Sequence, residues 1–402
     1  MKKEDFSKTF IKTAKNWCAS FAPGRIEFLG NHLDYNGGNV LGMAVNAGIY
    51  CLGIPNSENS ALGITEEKNQ FSLFSESFEN ASWTGVLENI ERQKGKSSWT
   101  NYCLGVLKEL QIRNLAPSEG FRLIFTTDLP TSVGLSSSAA LELATALTLL
   151  ELAGKSLPVK ELAILCRTAE NEFVGLPCGI LDQGTSAFGQ KDHLVHIDCK
   201  NESFSNLPIP SGTELWIFNT GIKHDLVDSL YSTRHQECVE ALLKGKEMYP
   251  QKTHLVDFSK NEILNLNLPE NLNKRAIHVS EEQARVLKFK EGLSSNLSAE
   301  KLGKLLQESH ESSSRNFENS CKELDFLAEN LNSHAKVLGA RLTGGGFGGA
   351  VMAWTHSTFD ELNAKGITDK YRDKFDRDIN FHHFLPSDGC LLYTSPSPRD
   401  RG

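Results

Sequence analysis

The segment Phe21–Gly38, FAPGRIEFLGNHLDYNGG, constrains what this chain can fold into more than any other stretch. Glycines at 24, 30, 37 and 38 permit backbone conformations and close approaches that a β-carbon would block. A run of this composition makes a poor helix and a poor buried strand. Among the glycines lie Arg25, Asn31, His32, Leu33 and Asp34. The polar members of that set are hydrogen-bonding groups of the kind that grip a polyol.

The 402 residues are enough for a large core and two domains. Hydrophobic content of 39% with 23% charged residues is ordinary for a globular chain. A net charge of −8, with no long block of lysine and arginine, argues against a nucleic-acid surface. An acidic chain can still bind a small anion through a local cradle of backbone amides. The nine cysteines are scattered without metal-ligand spacing, which points to reduced intracellular thiols. The N-terminus, MKKEDFSKTF, has no apolar core and reads as no signal peptide. The most apolar helical run, Leu141–Ala153, is interrupted by Glu142 and Glu151 and is too short to cross a bilayer. The expectation is a cytoplasmic monomer with no membrane and no nucleic-acid partner.

Strands are predicted at Val40–Val45, Ile49–Ile54, Gly120–Phe125, His193–Ile197, Glu214–Asn219 and Ala350–Trp354. Helices are predicted at Trp99–Leu110, Ser138–Leu152, Val159–Glu172, Ser229–Tyr249, Glu281–Glu291, Ala299–Glu318 and Cys321–Asn330. The pattern changes near residue 200, which places the boundary between residues 1–200 and 201–390 there. The final dozen residues, LLYTSPSPRDRG, have no periodicity and look like translated adapter sequence. Leu391–Gly402 is therefore expected to be a non-native tail outside the fold.

Two further segments have chemical potential. Asp128–Leu141, DLPTSVGLSSSAAL, follows a strand and opens a helix. Unpaired amide N–H groups and the positive helix end suit an anion there, although serines also simply cap core helices. No Gly-Lys-Ser/Thr is present, so this is not a Walker A loop. In Thr168–Gly189, Asp182 follows a glycine and two apolar residues, as a carboxylate held at the edge of a core. It could take a proton from an attacking hydroxyl, or be a helix cap or turn. A glycine-rich run at Leu342–Gly349, LTGGGFGG, could be a hinge.

Together these segments resemble the galactokinase family of the galacto-, homoserine, mevalonate and phosphomevalonate (GHMP) kinase superfamily. Phe21–Gly38 matches its first signature, Asp128–Leu141 its second and Leu342–Gly349 its third, with further matches at Ile277–Val286 and Glu308–Asp325. The resemblance implies an α+β, two-domain architecture, with an S5-like N-terminal domain and a ferredoxin-like C-terminal one. It places the active site in the cleft between them. It implies phosphoryl transfer from ATP, with Mg²⁺, to the anomeric hydroxyl of galactose. Asp182 becomes the base and Arg25 its catalytic partner. Asn31, His32, Leu33, Asp34, Gly179 and Tyr231 become sugar-binding residues. Ser132, Val133, Gly134, Leu135, Ser136, Ser137 and Ser138 wrap the phosphates, and Trp99 lies near the adenine. Ser138 and Glu170 hold the magnesium.

One position departs from the first signature. Asn31 stands where the family has glutamate, and Glu27 stands where it has asparagine. Asparagine keeps an acceptor but loses the charge and adds donors. Kinase activity on N-acetylgalactosamine or another pyranose therefore stays open beside galactose. A sensor that binds ATP and galactose without turnover is the reading from another class. Such relatives lack residues of the serine loop, whereas Ser136–Ala140 is intact here.

Overall fold

The computed structural model describes residues 16–58, 68–77, 80–130, 134–222 and 227–394. Two long strands form its spine: β1 (Cys18–Leu29) and β2 (Asn39–Pro55), antiparallel from Cys18↔Gly53 to Leu29↔Leu41. The second half of β2 pairs with β5 (Phe121–Thr127), which takes β3 (Gln70–Ser75) in parallel, and β3 pairs with β4 (Ala81–Val86). The first half of β2 pairs instead with β6 (His193–Asp198), whose hairpin partner is β7 (Ser203–Pro208). A short strand, β12 (Leu391–Thr394), completes this sheet along the open edge of β1. Helices α1 (Thr100–Ile112), α2 (Ser137–Leu152), α3 (Val159–Thr168) and α4 (Leu181–Phe188) form a helical layer, in which α2 and α4 pack on β1 and β2. Buried Ala139, Leu143, Ala146 and Leu150 recur on α2 at the spacing of one helix face.

The second sheet holds β8 (Thr213–Asn219), β9 (Val337–Thr343), β10 (Ala350–His356) and β11 (Phe381–Phe384), in the order β11-β8-β10-β9. That order is the ferredoxin-like split βαβ arrangement. Its satellite core joins Trp216, Phe218 and Val351 to α9 (Lys322–Asn332) and α10 (Glu361–Phe375). Before β9 lie α5 (Val227–Met248), α6 (Lys260–Asn265), α7 (Glu270–Ser294) and α8 (Ala299–Ser312). Phe289 of α7 meets Phe28 of β1 edge-on at 5.1 Å, and Trp354 of β10 meets Phe28 at 5.8 Å. One apolar core thus runs through both sheets and fixes the cleft between them.

Several elements differ from the sequence-based expectations. Phe21–Leu29 is a buried strand after all, because register shifts between Pro23 and Arg25 and between Glu27 and Leu29 absorb its irregular residues. The two runs predicted at 40–45 and 49–54 are one strand, because β1 pairs on both sides of the gap, at Gly48 and at Ala44, with a register shift between. Helix α3 opens into a π-helical turn at Ala169–Val174, and α8 does so at Ser313–Phe317. β7 remains the hairpin partner of β6, so the first sheet continues past residue 200 to Pro208. Composition places Leu391–Gly402 outside the fold, yet Leu391–Thr394 pairs with Cys18–Phe21. Leucines, a tyrosine and a threonine have strand character, and β1 offers an open edge there. No helix among the described residues is long and apolar enough to cross a membrane.

Candidate active site

Two cavities meet at the N-terminal ends of α2 and α4. The larger, about 760 Å³, is lined at one end by Ile49, Trp99, Tyr102 and Phe125 and at the other by Gly134–Ser138 and the Thr343–Gly349 loop. Its apolar end suits a flat base and its amide-rich end an anion. The smaller, about 220 Å³, is lined by polar groups that include Glu27, Asn31, His32, Asp34 and Tyr231. Arg25, Gly344 and Gly345 border both.

Arg25 stands at the junction because the shift in β1 registers just before it. Its Nε donates to Asp182 Oδ1 at 2.7 Å and its Nη1 to the carbonyl of Gly134 at 2.7 Å. The pair is largely screened from bulk water, with 7% and 24% of the side chains exposed. Burial works against the Arg25 charge, but Asp182, Glu27 and Asp34 outweigh it and push its pKa up. Asp182 opens α4, and its other oxygen accepts from the Ser136 hydroxyl. Ser136 takes the N-cap position of α2 without a side-chain capping bond, at φ 49°, a left-handed conformation unusual for serine. Phosphate loop, arginine and carboxylate are therefore one hydrogen-bonded unit.

The sugar-sized cavity is held rigidly from behind. His32 stacks on Phe317 at 4.2 Å and contacts Tyr35 and the Gly345 carbonyl. Burial lowers its pKa to about 3, so its ring is neutral. Burial, and then the charges of Asp182 and Glu27, push Asp34 up to about 7. A β-carbon on Gly179 would come within 2.3 Å of the Asp34 carboxylate, so only glycine lets the two segments meet. Glu282 of α7, itself fully buried, accepts from the backbone amides of Gly30 and Asn31. Tyr231 closes the other side, 5.3 Å from the His32 ring. In the facing glycine-rich loop, Gly346 has φ +83° and sits where a β-carbon would strike the Asn319 carbonyl.

Ser138 donates a hydrogen bond to Glu170, whose carboxyl is raised above its ordinary pKa by burial and by the Asp182 charge. Gln183, fully buried, bridges Glu170 at 2.7 Å and Glu142 at 3.0 Å through one amide nitrogen. Glu142 is pushed well up by burial and by Glu170. Among the described residues no basic side chain pairs with Glu170, so its carboxylate and the Ser138 hydroxyl form a hard-oxygen donor pair. Such a pair fits Mg²⁺ that takes its remaining oxygens from phosphates and water. Among the described residues, no cluster of three or more His, Cys, Asp or Glu could hold a metal unaided.

Of the expected residues, the structure gathers Arg25, Asn31, His32, Asp34, Glu170, Asp182 and Tyr231 around the small cavity. Trp99, Gly134, Leu135, Ser136, Ser137 and Ser138 lie around the large one. Leu33 is different: its side chain is buried in the core, packed towards Gly38. Ser132 and Val133 lie outside the described residues. Gln183, Glu282, Asn319 and Arg341 escaped the sequence reading. Gln183 carried a local signal as the neighbour of Asp182, and Glu282 and Asn319 lie in the matching segments Ile277–Val286 and Glu308–Asp325, which single out no residue.

The galactokinase galactose-binding signature matches residues 4–55, the N-terminal GHMP kinase domain residues 101–190 and the C-terminal one residues 293–377. A galactokinase of Thermotoga neapolitana is 39% identical over 370 residues, covering 92% of this chain and 98% of that protein. One of Haemophilus influenzae is 36% identical, over 87% of this chain and 88% of its own. The structure of Lactococcus lactis galactokinase complexed with galactose superposes with a TM-score of 0.88 at 30% identity, covering 96% of this chain and 98% of that one. A mevalonate kinase shares the fold, with a TM-score of 0.60 at 19% identity and coverage of 93% and 98%. With three ordered signatures, near-complete coverage by its relatives and an arginine–aspartate pair where two cavities meet, this chain belongs to the galactokinase family.

Proposed function

We propose that the chain transfers the γ-phosphoryl group of ATP to the anomeric hydroxyl of galactose, giving galactose 1-phosphate. The observation that carries this is the Arg25–Asp182–Ser136 unit at the one border shared by a nucleotide-sized and a sugar-sized cavity. ATP lies in the larger cavity, its base towards Trp99 and its phosphates over the N-terminus of α2. The sugar lies in the smaller one, between Glu27, His32, Asp34 and Tyr231. Its anomeric hydroxyl meets Asp182, which orients it and receives its proton as the new P–O bond forms. Arg25 balances the negative charge gathered there and holds Asp182 by a fixed, charged hydrogen bond. Ser138 and Glu170 are the residues to hold Mg²⁺, which supplies neutralisation of the phosphate charge when bound. The cytoplasm and a monomeric state complete the proposal.

The intact serine loop and the Arg25–Asp182 pair favour an enzyme over a sensor. Asp182→Asn separates the two. It should lower kcat about 10²- to 10⁴-fold, the range supplied by one general base, while galactose and ATP still bind. ATP consumption and calorimetric binding on the same protein check this. Unchanged turnover in Asp182→Asn would remove the carboxylate from the chemistry.

A further inference from the structure

We propose that Glu27 is the residue that selects the sugar in this chain, with Asn31 as its positioning partner. The inference rests on the sugar-kinase reading of the small cavity. The two positions are a coupled pair in space as well as in sequence. Asn31 is fully buried, and its Nδ2 donates to Glu27 Oε1 at 3.0 Å and to the Gly344 carbonyl at 2.9 Å. Its Oδ1 accepts from Asn319 Nδ2 at 2.9 Å and from Ser313 Oγ at 3.3 Å. A primary amide has two donor hydrogens and two acceptor sites, so Asn31 has nothing left to offer a ligand.

Glu27 is the opposite case. Its Oε1 takes the Asn31 amide and Arg341 Nη2, the latter at 3.1 Å. Among the described residues none donates to Oε2, which is not one of the sealed polar atoms. Glu27 lines the sugar cavity beside Arg25, which leaves Oε2 as the acceptor it can offer to a ligand there. Burial raises its carboxyl above the ordinary pKa, against the pull of Arg341 and Arg25, as expected of a carboxylate awaiting a donor. A sugar hydroxyl other than the anomeric one supplies that donor. A carboxylate at position 31 would put its oxygens against Glu27 Oε1 and the Gly344 carbonyl with no hydrogen between them. One carboxylate and one amide therefore satisfy each other at these two positions, whereas two carboxylates would repel.

The test is a cycle of Glu27→Asn, Asn31→Glu and the double exchange, with Glu27→Gln as the isosteric control. Each is assayed with galactose and with 2-, 3-, 4- and 6-deoxygalactose, with thermal melting as the check on folding. Either single exchange should lower kcat/KM for galactose about 10- to 100-fold, through the sugar KM, and leave the ATP KM unchanged. The double exchange should return to within about three-fold of the parent. One deoxy sugar should lose about 10- to 100-fold relative to galactose with the parent, whereas Glu27→Gln, having already lost that bond, should use it about as well as galactose. A folded Glu27→Gln protein with the parent's galactose KM and the parent's deoxy-sugar profile would overturn the proposal, leaving Glu27 as the partner of Arg341 alone. If the parent protein uses another sugar and ignores galactose, the galactose reading fails, and the same cycle on that sugar still decides the role of Glu27.

Discussion

Asp34 shows how single residues in this site are tuned against their own stability. It faces Gly179 and the charges of Asp182 and Glu27, and it titrates at about 7 against an ordinary 3.8. Between those values the folded chain binds more protons than the unfolded one, so stability falls as pH rises through the window. Below 3.8 the loss is absent, and above about 7 it is complete. Sugar-free Asp34→Asn should therefore match the parent's melting temperature near pH 4, exceed it by about 2–5 °C at pH 8, and lose sugar turnover. Melting curves at the two pH values decide it, and equal curves at pH 8 would refute the account. Asp34, Arg25 and Asp182 are legible in the sequence because each lies inside a contiguous string of unusual residues. Leu33 lies in the same string yet packs into the core, since a four-residue block cannot show which side chain turns inward.

Among the elements, α7 is the one that holds the sugar segment from behind. Glu282 accepts from Gly30 and Asn31 amides, from Ser309 at 2.7 Å and from Arg285 at 2.7 Å. Burial works against its charge, yet Arg285, then His278 and Arg341, hold its carboxyl at about 2. With its pKa depressed, its contribution is fully present above the ordinary 4.5 and is lost as pH falls through about 2. Glu282→Gln leaves Arg285 buried without its partner and should cost about 3–5 kcal/mol of stability. The same change should raise the galactose KM, because the 30–31 turn loses its anchor. Denaturant melts with sugar kinetics check both, and a neutral variant would contradict the anchoring role. The match of Ile277–Val286 to the family marks this stretch of α7 but not Glu282 or its contact. Glu282 is one acidic residue in a polar helix, some 250 positions from the segment it holds, and the contact exists only after folding. The π-helical turn at Ala169–Val174 was hidden for the same reason, since its residues read as plain helix.

At the scale of the whole molecule, the sugar cavity belongs to neither sheet alone. Glu27 and Asn31 come from β1 and the turn after it, while Arg341, Thr343 and Gly344 reach them from β9 and its loop. The two-unit α+β plan was legible because three glycine- and serine-rich signatures occur in order along the chain. The point where the sheets divide was not, because β6 and β7 form a hairpin across the change in pattern near residue 200. The central claim is that this shared cavity accepts galactose for phosphorylation. ATP consumption by the purified protein against a panel of hexoses, pentoses, uronic acids and N-acetylhexosamines tests it most directly. Selective turnover with galactose, yielding galactose 1-phosphate, is the predicted result. Turnover with a different sugar and none with galactose would contradict it.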